Sequence, residues 1–219
     1  MITLKKYTTV IFDLDGTLLN TLDDLRFSVN YALERFGMPQ RTMDEIRAFV
    51  GNGVLRLIEL AVPQGLQNPQ FEQVFEAFKE HYSQHCNDQT KPYEGTLELI
   101  KDLAENGYKL AIVSNKYYDA VVELNKLYFS EYISVAIGEK EGIRKKPAPD
   151  TVQTALAMLD STEEESVYIG DSEVDIQTAK NSGLDCISVS WGFREPNFLK
   201  ENGATIIVDT PTMVSNILK

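Results

Sequence analysis

Two carboxylates, Asp13 and Asp15, stand two residues apart in Asp-Leu-Asp-Gly-Thr, directly after the apolar run Val10-Ile11-Phe12. Brought to one site, the first can ligate Mg2+ and attack phosphorus, while the second serves as acid and base. Gly16 lets the backbone come close to a ligand, and Thr17 adds a hydroxyl. Asp-Gly alone is a common turn, but three later signals lift the reading above that. Ser114-Asn115 follows Leu110–Val113 and offers a hydroxyl and amides suited to a phosphate. Lys146, ahead of Pro147-Ala148-Pro149, can neutralise phosphate oxygens as a point charge. Gly170-Asp171-Ser172-Glu173-Val174-Asp175 contributes two more carboxylates. Mg2+ takes oxygen ligands alongside water and substrate phosphate. Asp13 and Asp171 meet that need, with Asp175 a further candidate.

The elements that must position these groups are legible in the periodicity. Val10–Phe12 reads as a buried parallel strand entering a tight loop. Similar runs occur at Leu110–Val113, Ser134–Ile137, Val167–Ile169, Cys186–Val189 and Thr205–Val208. Helical spacing lies between them: Leu97, Ile100, Leu103 and Ala104 before Gly107; Val152, Ala155, Leu156 and Leu159; and Val174, Ile176 and Ala179 before Gly183. Strand–helix alternation from about residue 93 predicts an α/β fold, a doubly wound, Rossmann-like parallel sheet with helices on both faces. The active groups then fall at the carboxyl ends of strands, where open α/β sheets bind ligands.

Residues 18–88 differ, showing helical spacing only. The apolar positions are Leu22, Leu25, Val29, Leu33 and Phe36; Val54, Leu57, Ile58 and Ala61; and Phe71, Val74, Phe75, Phe78 and Tyr82. Turn signals stand at Gly37-Met38-Pro39 and Pro63–Pro69. The expected organisation is a discontinuous core, 1–17 with 89–219, carrying an inserted helical cap, 18–88. The two crossings, Leu18–Thr21 and Asn87–Pro92, are candidate hinges.

With 219 residues, 43% hydrophobic and 25% charged, the composition is that of a globular protein. A net charge of −12 argues against nucleic acid or an anionic membrane as partner, since both favour basic surfaces. No run reaches transmembrane length, and Cys86 and Cys186 lack metal-ligand spacing, so a reducing cytoplasm is the expected compartment.

The order DLDGT, SN, K-P-x-P, GDSxxD resembles the haloacid dehalogenase superfamily of phosphohydrolases across the whole chain, and the helical insert resembles its small cap type. The resemblance implies Mg2+ as cofactor and roles for individual residues. Asp13 would be the nucleophile that becomes an aspartyl phosphate. Asp15 would protonate the leaving alkoxide, then activate water, its backbone carbonyl joining Asp13 and Asp171 at the metal. Ser114 and Lys146 would hold the phosphoryl group, Lys146 also steadying Asp13, and Asp175 would position a water or Lys146. Asp15 disfavours carbon–halogen cleavage, which needs no leaving-group acid.

Phe-Val-Gly51-Asn52-Gly53-Val is similar to the cap segment of phosphoglycolate phosphatase-like members, and Ser114-Asn115-Lys116 fits that subgroup, which implies Asn115, Lys116 and Gly51–Gly53 as substrate contacts. By itself Gly51–Gly53 is also an ordinary interhelix turn, although a glycine-flanked helix start can hold an anion. The implied substrate is a small anionic phosphate ester, with 2-phosphoglycolate first, and the protein is expected as a monomer or homodimer. The core motifs equally fit a β-phosphoglucomutase-type phosphomutase, a pyrophosphatase or a nucleotidase. The Arg- and Ser-containing cap segment of such mutases is missing here. A phosphometabolite-binding regulator is disfavoured because every core catalytic position carries the expected side chain. His81 and His85 are spaced for metal but lack a third ligand, and Trp191-Gly192-Phe193 reads as packing at the core rim.

Overall fold

A computed structural model describes residues 7–219. The chain opens with β1 (Thr9–Phe12) and β2 (Leu19–Asn20), then α1 (Leu22–Arg35), α2 (Met43–Phe49), α3 (Val54–Ala61) and α4 (Phe71–His85). It continues through β3 (Lys91–Pro92), α5 (Thr96–Glu105), β4 (Lys109–Tyr117), α6 (Tyr118–Tyr128), β5 (Val135–Glu139) and α7 (Asp150–Leu159). The last third holds β6 (Ser166–Gly170), α8 (Glu173–Asn181), β7 (Asp185–Val189), α9 (Pro196–Glu201), β8 (Ile207–Val208) and α10 (Pro211–Leu218). Contacts divide the described residues into two units, 7–18 with 92–219, and 19–91.

The first unit is an α/β fold on a six-stranded sheet of order β5-β4-β1-β6-β7-β8. Every pairing is parallel. All four residues of β1 are fully buried, as a central strand covered on both faces requires. The sheet order reverses around β1, flanked by β4 and β6 in register Phe12↔Ile112 and Phe12↔Ile169. Such a switch point opens a crevice at the carboxyl ends of the strands. Asp13, Ser114 and Asp171 follow those aligned positions.

β4 is longer than its apolar run. It continues through Ser114, Asn115 and Lys116 to Tyr117, with a register shift against β5 between Val113 and Tyr117. Gly138 in β5 permits this, because a Cβ there would lie 2.6 Å from Tyr118 Cα and 2.7 Å from the Lys116 carbonyl oxygen. α5 buries Thr96, Leu99, Ile100 and Leu103, while Leu97 is exposed. Two apolar stripes overlap in that helix, and packing against β4 and α10 selects the one containing Leu99.

The second unit is almost wholly helical. α1 packs along α4, and α2 and α3 complete the bundle. α3 buries Val54, Leu57, Ile58 and Ala61. Thr42 and Glu45 form a capping box at α2, with Glu45 N donating to Thr42 Oγ1 at 3.2 Å and Thr42 N to Glu45 Oε2 at 2.8 Å. Asp24 of α1 is buried and accepts from Gln89 N (2.9 Å), Thr90 N (2.8 Å) and Thr90 Oγ1 (2.7 Å), which ties the exit of the bundle to its first helix. At the crossings, expected as hinges, β2 and β3 pair as a two-stranded ribbon. Among the described residues, no helix is long and apolar enough to cross a membrane.

Candidate functional site

Asp13 leaves β1 with its N–H still bonded to Ile169 O at 2.9 Å, so the sheet fixes its backbone. Its carboxylate meets those of Asp171 and Asp175, with ligand atoms of all three within 4.8 Å of one another and all three side chains buried. Lys146 stands among them. Its Nζ donates to Asp13 Oδ1 at 2.6 Å, Asp175 Oδ1 at 2.8 Å and the Tyr168 hydroxyl at 2.9 Å, matching the three donors of an ammonium.

The backbone of Lys146 is held in turn by Asn115, reciprocally: Lys146 N donates to Asn115 Oδ1 at 2.8 Å, and Asn115 Nδ2 donates to Lys146 O at 3.0 Å. The next peptide bond, Lys146–Pro147, is cis. Asn115, expected at the substrate, thus holds the lysine segment against β4.

Asp175 sits at the third position of α8 and caps it. Its Oδ2 accepts from Ser172 N (3.1 Å) and Ser172 Oγ (2.6 Å), while its Oδ1 takes Lys146 and Tyr168. Asp171 accepts from Phe193 N at 2.7 Å and Thr17 Oγ1 at 3.3 Å.

Glycines make room for both carboxylates. A Cβ on Gly170 would lie 2.7 Å from Asp175 Oδ2, one on Gly16 would lie 2.6 Å from Asp171 Cγ, and one on Gly192 would lie 2.5 Å from Asp171 Oδ2. Gly16 also has φ +93°, where a side chain is strained. The Trp191–Phe193 segment, expected as rim packing, therefore builds the site, and Trp191 Nε1 donates to Thr17 O at 3.0 Å. Tyr168, Gly192 and Phe193 escaped the sequence reading because no motif spacing marks them. The one available signal was a tyrosine inside an otherwise aliphatic strand, since a buried hydroxyl needs a partner.

Electrostatics follow from this crowding. Burial pushes Asp13 well above the usual carboxylate range, opposed by the Lys146 ammonium and reinforced by Asp175, Asp171 and Asp15. Burial, then the charge of Asp175, raises Asp171 to about 7. Burial also disfavours the charge on Lys146, but Asp13 and Asp175 outweigh it and hold that ammonium well above its ordinary value. With all three carboxylates ionised against one ammonium the cluster would carry two negative charges, which a divalent cation on its oxygens would match.

Asp15, named with Asp13 and Asp171 for the metal, turns its carboxylate to Lys116, whose Nζ donates to Asp15 Oδ1 at 3.0 Å. Ser114 is buried, and its Oγ accepts from Lys116 N at 3.2 Å. Gly51, Asn52 and Gly53 lie in the helical unit, in the turn between α2 and α3, with φ of +122° at Gly51 and +83° at Gly53. His81 and His85 stack with centroids 4.3 Å apart, and their Nδ1 atoms bond Ser28 Oγ and Asp88 Oδ2.

Residues 10–189 match the haloacid dehalogenase-like hydrolase family. The chain belongs to that family. Among similar proteins of this hydrolase family, pyrophosphatase PpaX of Listeria welshimeri is 33% identical, covering 90% of this chain and 89% of its own. The phosphoglycolate phosphatase of Aquifex aeolicus is 30% identical over 86% of this chain and 87% of its own. A solved structure from Lactobacillus delbrueckii subsp. bulgaricus, whose phosphoglycolate phosphatase designation is provisional, is 40% identical. It superposes with a TM-score of 0.92, covering 97% of this chain and 98% of that one. The hydrolase is thus similar to phosphatases along nearly its full length.

Proposed function

We propose that this haloacid dehalogenase-like phosphatase uses Mg2+ and an aspartyl-phosphate intermediate to hydrolyse a small anionic phosphate monoester, 2-phosphoglycolate first among candidates. The observation that carries the reading is the Lys146 ammonium 2.6 Å from Asp13 inside the carboxylate cluster, with Asp15 two residues on. In this mechanism an Asp13 oxygen attacks phosphorus. The ester P–O bond breaks with its electron pair on the leaving oxygen, which takes a proton from Asp15. A water then gives its proton back to Asp15 and attacks the phosphorus of the aspartyl phosphate. The Asp13 oxygen departs as a carboxylate and inorganic phosphate is released.

Asp13 must be ionised to attack, against the burial that raises its pKa. Lys146 opposes that burial, and Ser114 with Lys146 is proposed to bind the transferring phosphoryl oxygens. Mg2+, held by the Asp13 and Asp171 carboxylates with the Asp15 backbone carbonyl, would neutralise the remaining negative charge of carboxylates and phosphoryl group. Asp175 is assigned to holding Lys146, because both its oxygens already accept hydrogen bonds from protein groups. The cytoplasm is the proposed compartment.

Pyrophosphate is the second reading, favoured by the 33% identity to PpaX proteins. The two substrates differ in leaving group: an alkoxide needs the Asp15 proton far more than a departing phosphate does. Phosphate release should therefore be measured from 2-phosphoglycolate, pyrophosphate and glucose 1-phosphate, with Mg2+ or EDTA, for wild type, Asp13→Asn and Asp15→Asn. Metal-dependent release that Asp13→Asn abolishes supports the mechanism, and the preferred substrate names the class. Conversion of glucose 1-phosphate to glucose 6-phosphate, or no release from any substrate by folded protein, would overturn it.

A further inference from the structure

We propose that Lys116 is a positioning residue for Asp15, a role distinct from contact with substrate. It rests on the reading of Asp15 as the acid and base. The Lys116 side chain is only 2% exposed, and its Nζ reaches Asp15 Oδ1 at 3.0 Å, whereas the Asp15 side chain is 15% exposed. A lysine on a surface would forfeit little by lacking a partner, but this one is withdrawn from water, so its ion pair is directional and persistent.

Several features of the fold serve this placement. β4 extends past its apolar run, shifts register against β5 and carries Lys116 to the carboxyl end of the sheet beside β1. Gly138 admits the backbone of residues 116–118 where any side chain would collide. The Lys116 N–H bonds Ser114 Oγ at 3.2 Å, which fixes the lysine backbone to a residue assigned to the phosphoryl group. The consequence is chemical. With Oδ1 committed to the ammonium, rotation of the Asp15 carboxyl is restricted and the proton that passes to or from the reacting oxygen travels on Oδ2. Lys116 thus acts on the leaving oxygen and the attacking water through Asp15.

The test compares kcat/KM, which reports the steps up to departure of the leaving group, for the phosphate esters that the wild type turns over. The esters are ranked by acidity of the leaving alcohol, from alkyl to nitrophenyl. Lys116→Met should lower kcat/KM on the order of 10²-fold for alkyl esters, within the range of general acid catalysis, and under about 3-fold for the most acidic alcohols. Asp15→Asn should show the same dependence, and the double variant should be no slower than Asp15→Asn alone. Lys116→Arg keeps a buried cation with different reach. It should show a smaller loss with the same ranking, and it carries the test if the methionine variant fails to fold. Equal loss across all esters, or losses that multiply in the double variant, would overturn the proposal and return Lys116 to substrate contact or to packing. A wild type inactive on every ester would instead refute the underlying phosphatase reading.

Discussion

Replacing Gly192 by alanine should damage the proposed cation site while leaving the fold standing. The added Cβ would lie 2.5 Å from Asp171 Oδ2 and 2.5 Å from the Gly16 carbonyl oxygen, roughly 1 Å inside the ~3.5 Å optimum for non-bonded atoms. Neither neighbour yields easily. Asp171 is held by Phe193 N and Thr17 Oγ1, and Gly16 belongs to the loop that follows Asp13. A displacement of that size at a reacting centre costs on the order of 10²-fold in rate, about 2.7 kcal/mol of transition-state stabilisation. Phosphate release titrated with Mg2+ should show a higher activation midpoint and a kcat lower by up to about 10²-fold. Gly107→Ala provides the contrast. Its Cβ would meet nothing within 4 Å, and its φ of +81° predicts lost stability with unchanged turnover per folded molecule. A Gly192→Ala enzyme with the wild-type midpoint and kcat would refute the assignment of Asp171 as a cation ligand shaped by this loop.

The carboxylate cluster predicts a metal-dependent pH profile of stability. Asp171 is raised from 3.8 to about 7 by burial and Asp175. Its protonated form therefore stabilises the metal-free fold fully below about pH 4, and that contribution, at most about 4 kcal/mol, is lost as pH rises through about 7. Thermal midpoints in EDTA should fall relative to those in Mg2+ between about pH 4 and 7, and parallel curves would count against the cluster as a cation site. Lys146→Met leaves Asp13 and Asp175 without their shared ammonium and should abolish turnover; urea unfolding should show a loss of about 3–5 kcal/mol, with a loss below about 1 kcal/mol contradicting the buried network. Asp24→Ala strands the Gln89 and Thr90 donors. It should cost on the order of 3 kcal/mol in the same assay, and an unchanged midpoint would mean that the latch contributes nothing.

The α/β fold and the family were legible because Asp13 and Asp171 stand directly after short buried strands and Ser114 directly after the apolar run of a third. Such strands announce themselves as apolar runs whose neighbours in a parallel sheet end at one edge. DLDGT, SN, the lysine before Pro-Ala-Pro and GDSxxD therefore reported the fold and the family together, and residues 18–88 stood apart by their all-helical spacing. What pattern could not convey was the partner each group would choose. Nothing in the spacing distinguishes Asn115 holding Lys146 from Asn115 facing a substrate, because a side-chain amide bonds whichever groups the sheet brings to it. Leu97 and Leu99 are equally apolar, and only the surfaces packed against α5 decided which was buried. Tyr168, Gly192, Phe193 and Gly138 lie far in sequence from the carboxylates and turns they serve, and their roles arise from close approach between segments. Local sequence determined where the buried apolar runs fall; tertiary packing decided how far β4 extends and which side chains share a hydrogen bond or an ion pair, because those are fixed by distances between segments that no local pattern records.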